Sequence, residues 1–577
     1  MNPSCTSGLR TATICRSLHS SPALILAASI AVLGCTKNEP PTNGAPSPGG
    51  GEPFPSCEDP TAAPGAFEDG LSGSGVDFVH GVDISFLLDP EDFTLPMAFT
   101  VGAGLVAADL DRDGSVDLVF AQTVGPNEIW WGRGDGSFEA GDPGDLALPD
   151  ELSSAVSAAD FDGDGDLDLA VVFLDGMTLL RLDEDRQFVD VTSETGVGGG
   201  LGWAGTPSWG DYDGDGDLDL YEGRHATAVY EDETIDAATD RLWRNENGTF
   251  TDRSGDLPFP DGLDGAWLHG VWEDLDLDGD LDLVQVNDFG DTSANSSLWA
   301  NEGPGQEENW QWTDRIQESG LGLLVAPMGA AVRDFDGDEW PDLWFSDIGG
   351  MSLFRSTGPW SWVEAGAAWA STTSHVISDI SWSVVDIDLA GDGLPAVLVT
   401  YGPLPAEPND PGYDPDQPDR FFVQEQAPGE EPRFVDRGDQ VFPSVQDGNS
   451  RGVGLADLNA DGVPDLVIGH IGGPPSILLG RCTTANRLVL ELQDLGTANR
   501  FGIGARVTVE AGGRVQTQTL RAGGRGTYSG SDPVLFFGLG DAEQVDRITV
   551  TWPDDGELQV LEQLCAHCKI VVERDAR

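Results

Sequence analysis

Apolar residues along most of this chain come in short runs, and each run is cut off by a cluster of aspartates and glycines. Gly104-Leu105-Val106-Ala107-Ala108 leads into an acidic turn and then Leu118-Val119-Phe120; Gly452-Val453-Gly454-Leu455-Ala456 leads into another and then Leu466-Val467-Ile468. Runs this short, bounded by turn residues, predict strands and not helices. The turn itself repeats. Asp-x-Asp-x-Asp-Gly-x-x-Asp begins at Asp109, Asp160, Asp211, Asp274, Asp334, Asp386 and Asp457, at steps of 51, 51, 63, 60, 52 and 71 residues. Between the turns an aromatic-x-Asp/Glu strand recurs around Phe138, Phe188, Phe250, Trp312, Trp362 and Phe434. A Leu-Trp pair with Asn precedes several of them, as in Leu242-Trp243-Arg244-Asn245 and Leu298-Trp299-Ala300-Asn301.

Four short strands per repeat make one propeller blade. The expected fold is all-β: a seven-bladed β-propeller over residues 71–481, then a small β-sandwich-like domain over 482–577. Six outer strands lie between seven turns, so the seventh blade lacks one. Val76-Asp77-Phe78-Val79-His80, in a strand expected over 76–82, is assigned to close the ring and remove its free edges.

The acidic turns have the spacing of a cation loop. Calcium takes about six to eight oxygens at roughly 2.3–2.6 Å. Positions 1, 3 and 5 converge on the inside of a tight loop, Gly at position 6 allows the turn, position 7 offers a carbonyl and position 9 closes the shell. The first loop supplies Asp109, Asp111, Asp113, Ser115 and Asp117; the second Asp160, Asp162, Asp164, Asp166 and Asp168. The third supplies Asp211, Asp213, Asp215, Asp217 and Asp219, and the fourth Asp274, Asp276, Asp278, Asp280 and Asp282. In the seventh they are Asp457, Asn459, Asp461, Val463 and Asp465. The fifth keeps Asp334, Asp336, Asp338 and Asp342 but has Glu339 in place of Gly, which predicts a strained turn. The sixth, read from Asp386, has Ala396 in the closing place and is expected to hold metal poorly. Crowded carboxylates repel unless a cation lies among them, so five to seven structural calcium ions are expected. The loop is not an EF-hand, which needs a Glu at position 12 and flanking helices.

Composition fits a folded acidic body. The net charge is −71, which repels nucleic acid and anionic membrane. Disorder is excluded by 39% hydrophobic residues and 17 Trp. Arg10 and Arg16 followed by the apolar stretch Ala23 to Leu33 read as an export signal, and Val32-Leu33-Gly34-Cys35 resembles a bacterial lipoprotein box. Residues 1–35 are accordingly expected to be a signal peptide ending in lipidated Cys35, with ordinary cleavage nearby as the alternative. Thr36 after the cysteine implies, by the same resemblance, the outer membrane or cell surface. Residues 36–70, rich in Pro, Gly and Ser, read as a flexible tether. Export leaves Cys57, Cys482, Cys565 and Cys568 in an oxidising compartment. Three pairings are open to them; Cys57–Cys482 across the seam with Cys565–Cys568 local is the expected one.

With these residues the chain resembles the FG-GAP/VCBS repeat propellers. Val286-Asn287-Asp288-Phe289-Gly290 and Met328-Gly329-Ala330-Ala331-Val332 are similar to segments of the cartilage acidic protein family. Asn499 to Val507, Phe537-Gly538-Leu539-Gly540 and Val550-Thr551-Trp552-Pro553 resemble the ASPIC/UnbV domain that ends such proteins. The resemblance implies a secreted calcium-binding protein with an adhesion- or matrix-like role, and it transfers no catalytic residue. A binding or scaffold module is the expected function, with an unknown protein or glycan ligand and membrane contact only through the lipid anchor. The alternatives are a lectin or a calcium-dependent carbohydrate-active enzyme of polysaccharide-lyase type. Trp203, Trp209, Trp267, Trp272 and Trp382 precede loops and could stack sugars, although packing between blades accounts for such residues too. No catalytic residue is assigned: the histidines are scattered over different repeats, and no nucleophile, zinc or phosphate motif occurs. Arg487, Arg500, Arg506, Arg514, Arg521 and Arg525 make the C-terminal end locally basic, which fits docking on the acidic repeats, a patch for an acidic partner, or surface scatter.

Overall fold

The computed structural model describes residues 51–62, 65–81, 102–174, 176–183, 185–198, 205–229, 235–237, 239–258, 266–288, 296–305, 309–322, 326–370, 379–403, 417–426, 430–444, 448–523 and 526–574. The expected leader, Cys35 and the tether as far as residue 50 lie outside them.

Each acidic turn joins the first and second strands of a four-stranded antiparallel meander. The first sheet is Leu105–Ala108, Asp117–Phe120, Glu128–Gly132 and Phe138–Ala140. The second is Ser153–Ala159, Asp168–Phe173, Gly176–Leu182 and Phe188–Asp190, and the third Ser208–Gly210, Asp219–Glu222, Arg241–Glu246 and Thr249–Asp252. The fourth to sixth sheets repeat this order, starting at Ala266–Glu273, Ala330–Arg333 and Ser381–Ile387. The seventh holds Ser450–Ala456, Asp465–His470 and Ser476–Gly480. First strands of neighbouring sheets contact one another, and the seventh contacts the first, so the sheets form a ring. This is propeller architecture. Among the described residues no helix is long and apolar enough to cross a membrane.

The strand that completes the seventh sheet is not the expected one. Phe67–Asp69 pairs antiparallel with Ser476–Gly480, Phe67 opposite Gly480. Residues 76–80 form no strand; Phe78 instead stacks on Phe120 at 4.5 Å and Val76 packs in the same cluster. Two apolar side chains bury there without any ladder. The end of the expected tether is also part of the body, because Glu52–Pro53 pairs with Cys568–Arg574 and Cys57 is disulfide-bonded to Cys482. A second disulfide joins Cys565 and Cys568.

The C-terminal residues form two further sheets. One orders Glu52–Pro53, Cys568–Arg574, Asn486–Asp494 and Val534–Gly540; the other orders Arg514–Thr519, Arg506–Ala511, Gln544–Thr551 and Leu558–Cys565. Their facing side chains alternate, as the Leu488, Leu490 and Leu492 pattern demands. One apolar cluster runs from Val106 and Trp209 of the ring through Leu490 and Val550 of these sheets, so ring and C-terminal domain share a core.

The centre of the ring is filled by its own chain. Gly530–Ser531 pairs in parallel with Leu105–Ala108. Val156 N–H donates to Tyr528 O at 3.3 Å, and Tyr528 N–H to Thr206 Oγ1. Thr527 Oγ1 donates to Met328 O at 3.0 Å, Ser383 Oγ to Thr527 O at 3.3 Å, and Leu455 N–H to Ser531 Oγ at 3.1 Å. Arg521 Nε reaches Trp272 O at 3.3 Å. Each of the seven sheets is thereby touched at or beside its first strand. Glycines of the ring permit the approach: a Cβ on Gly104 would lie 2.5 Å from Tyr528 O, and one on Gly452 2.3 Å from Ser529 Oγ.

Candidate metal centres

The loops are built from amide hydrogen bonds before any ion is considered. Position 1 caps its own turn: Asp160 Oδ1 accepts from Gly163 N and Asp164 N at 2.8 and 3.1 Å, and Oδ2 from Gly165 N at 3.0 Å. Asp211, Asp274, Asp334 and Asp457 do the same. Position 2 drives an apolar side chain into the core; Leu110, Phe161, Tyr212, Leu275, Phe335 and Leu458 are all buried. Position 5 caps position 7, as Asp113 Oδ1 accepts from Ser115 N at 2.9 Å, Asp164 Oδ1 from Asp166 N at 3.0 Å and Asp461 Oδ1 from Val463 N at 2.8 Å. Asp215 and Asp278 cap Asp217 and Asp280 in the same way.

Position 9 ties the loop to two strands. Asp219 Oδ2 accepts from Tyr212 N at 3.0 Å and Oδ1 from Asn245 N at 2.8 Å. Asp117, Asp282, Asp342 and Asp465 repeat this bridge. The Leu-Trp-x-Asn signature has its reason here: Asn245 Nδ2 donates to Phe161 O of the preceding loop at 2.8 Å, and Asn301 Nδ2 to Tyr212 O at 2.8 Å.

Positions 1, 3 and 9 converge. In Asp109/Asp111/Asp117, Asp160/Asp162/Asp168, Asp211/Asp213/Asp219, Asp274/Asp276/Asp282 and Asp334/Asp336/Asp342, one oxygen from each carboxylate lies within 4.8 Å of the other two. The seventh loop keeps three carboxylates, with Asn459 at position 3. Burial and crowding both disfavour the charged carboxylates. Burial first, then neighbouring carboxylates, push Asp160 up to about 7 and Asp211 to about 8. Burial holds Asp117 at about 8, and Asp168, Asp219, Asp282, Asp342 and Asp465 are raised well above the carboxylate range. Amide bonds do not satisfy every oxygen. Asp109 Oδ1, Asp168 Oδ2 and Asp213 Oδ1 are buried with no hydrogen-bond partner. Buried, unpaired carboxylate oxygens within such close triads fit a hard cation, which prefers all-oxygen donor sets. Arginines meet part of the charge at position 3: Arg186 pairs with Asp111, Arg244 Nε lies 2.6 Å from Asp213, and Arg355 Nη1 3.2 Å from Asp336.

Residues 109–171, which hold the first two of these loops, match the family model of the FG-GAP-like repeat, and residues 496–577 match that of ASPIC and UnbV. The chain is an FG-GAP repeat protein with a C-terminal ASPIC/UnbV domain. No curated protein matches it. Among solved structures it is similar to a lectin from Agrocybe aegerita that recognises non-reducing terminal N-acetylglucosamine, at 13% identity and a TM-score of 0.34, covering 65% of this chain and 93% of that one. It is also similar to BBS1N in complex with ARL6DN, at 11% identity and a TM-score of 0.37, covering 66% and 91%. At such scores neither likeness carries an argument.

Two loops of this FG-GAP repeat protein depart from the rest. The sixth begins at Asp388, not Asp386. Asp388 accepts from Gly391 N, Asp392 N and Gly393 N, the position 1 pattern, while Asp386 lies in the first strand and pairs with Arg333 at 2.5 Å. Position 3 is therefore Ala390 and position 9 Ala396, leaving Asp388 and Asp392 as its carboxylates. In the fifth loop Glu339 takes position 6 at φ +77°, where the others place glycine. A left-handed non-glycine costs about 1–2 kcal/mol, less the entropy that glycine regains on unfolding. Glu339→Gly is expected to stabilise the protein by up to about 1 kcal/mol, read as a higher urea midpoint. An unchanged or lower midpoint would show the turn to be unstrained.

The remaining candidates of the FG-GAP repeat protein are packed, not presented. Trp209, Trp267, Trp272 and Trp382 are buried, so none of the four can stack on a sugar. His80 bonds Thr123 Oγ1 at 3.1 Å, His225 faces Asp288 at 3.3 Å, and His470 lies between Ser450 and Ser476 at 3.1 and 2.8 Å. His269 is buried and His567 bonds Pro55 O at 3.1 Å. Trp203, His375 and Arg525 lie outside the described residues. Sequence reasoning missed position 4, which is left-handed in every loop although Arg112, Leu277 and Ala460 occupy it in three of them. Nothing in those residue types signals it.

Proposed function

We propose that this is an exported calcium-binding propeller that serves as a surface binding or scaffold module and performs no catalysis. The observation that carries the metal reading is the set of five carboxylate triads, four of which hold buried, unpartnered oxygens. Calcium is the hard cation best suited to a flexible loop of carboxylates and carbonyls. Its role is structural: it neutralises the charge that position 9 carries into the sheet. Export is supported by two disulfides, which persist in oxidising compartments. Anchoring through lipidated Cys35 and kinship with the cartilage acidic proteins belong to the same reading. With the ring's centre filled and its four described pre-loop tryptophans buried, partners are met by the remaining outer surface.

Calorimetric titration of chelator-stripped protein with calcium, and with magnesium as control, tests the proposal. Five to six calcium sites are expected, from the five triads and the seventh loop, with weaker magnesium binding. Zero sites, or binding to magnesium alone, would refute it.

A further inference from the structure

The face that carries the metal loops is covered by the chain's own C-terminal domain, and the contacts fall on the turns themselves. Arg500 Nε donates to Gly163 O at 2.6 Å in the second loop, and Asn499 N–H to Gly216 O at 2.8 Å in the third. Arg506 Nη2 donates to Glu339 O at 2.8 Å in the fifth. In the sixth, Gly540 N–H donates to Gly391 O at 2.8 Å. Arg112 of the first loop pairs with Glu491, which Lys569 also reaches at 3.0 Å.

These donors read backbone shape. Gly163, Gly216, Glu339 and Gly391 all have φ between +72° and +94°, so their carbonyls point outward only while the left-handed turn is held. Each turn wraps several carboxylates whose mutual repulsion favours opening it unless a cation is present.

The sixth loop shows the principle with a cation that is part of the chain. It lacks carboxylates at positions 3 and 9, and there Arg487, 3% exposed, enters from the C-terminal domain. Its Nη2 donates to Leu389 O at 3.0 Å, and it packs so tightly that a Cβ on Gly391 would meet the guanidinium carbon at 2.9 Å. A tethered guanidinium thus occupies the turn that metal serves least.

We propose that ion occupancy of the loops and seating of the C-terminal domain are reciprocally coupled. The domain docks on turns in their ion-held shape, brings the fixed cation of the sixth loop, and in return raises the affinity of the other loops. The proposal rests on the metal reading above, and linkage requires the effect to run equally in both directions.

Hydrogen exchange of the intact protein, read by mass spectrometry with calcium and with EDTA, tests one direction. Stripping the ions is expected to speed exchange in Asn486–Asp494 and Val534–Gly540, strands of the C-terminal domain that rest on the loops and supply no metal ligand, by about fivefold or more, alongside the loops. Calcium titration of Arg500→Ala/Arg506→Ala protein tests the other, with affinity expected to fall by about fivefold. Loops that open in EDTA while both strands keep their protection would overturn the coupling and leave the metal reading intact. So would wild-type calcium affinity in the double variant. A protein that binds no ion would overturn both.

Discussion

In EDTA at pH 8 the protein is expected to melt more than about 10 °C below its melting point in millimolar calcium. A ligand at a hundred times its Kd stabilises by about 2.7 kcal/mol per site, so five sites supply on the order of 10 kcal/mol. About 1 kcal/mol moves the midpoint of a domain of roughly 200 residues by about 2–4 °C, and of a larger ring by less. The pH dependence should change character with the metal. Without ions, carboxyls such as Asp109 at about 7 and Asp117 at about 8 titrate above their unfolded values. The unfolded chain then ionises first as pH rises, so stability is highest below about pH 4 for these groups and is lost between there and about pH 8. In EDTA the melting point should therefore rise on going from pH 8 to pH 5.5, as relief of the net charge of −71 also requires. In calcium it should fall over the same range, because protons displace the ion. Scanning calorimetry in the two buffers decides it; identical curves would remove the ions from the account.

Asp219→Ala is expected to cost about 3–5 kcal/mol with or without calcium. Asp219 is fully buried and each oxygen accepts a backbone amide, from Tyr212 and from Asn245. Alanine leaves two buried N–H groups unpaired, at about 1–3 kcal/mol each, and also opens a void. Asp215→Ala is the matched comparison. Asp215 is exposed, caps Asp217 within the turn and pairs with Arg244 only at the surface, at 3.5 Å, so its loss should weaken calcium binding while barely changing stability in EDTA. Urea unfolding of both variants in both buffers separates the two roles. Equal sensitivity to EDTA in the pair would mean that position 9 acts as a ligand alone.

The period of the acidic turns was enough to read the strand order of each sheet, because Asp at every second position followed by an apolar run has few other solutions. Phase was harder. Asp386 and Asp388 both begin a plausible alternation, and only amide capping distinguishes them. The closing strand escaped because Phe67-Glu68-Asp69 buries one side chain and carries no visible alternation, whereas Val76 and Phe78 alternate and yet bury outside a ladder. The segment in the ring's centre escaped for a related reason. Apart from Tyr528, Gly526 to Ser531 is small and polar, and its value lies in what its backbone reaches, which no hydropathy pattern records. Of the arginines of the C-terminal end, Arg500 and Arg506 donate to carbonyls at turns, while Arg521 pairs with the carboxylate of Glu273 in the ring.

That centre-filling segment has a bearing on biogenesis. The pieces that finish the wheel lie far apart along the chain: residues 67–69 complete the last sheet, while 526–531 enter only after every strand of the ring has been synthesised. A nascent chain emerging from the ribosome consequently holds a hollow, edge-exposed intermediate for most of its synthesis, the kind of species that aggregates or recruits chaperones. Maturation must wait for residues 526–531, and a premature stop codon ahead of them would leave the wheel without its centre and not merely shorten its last domain.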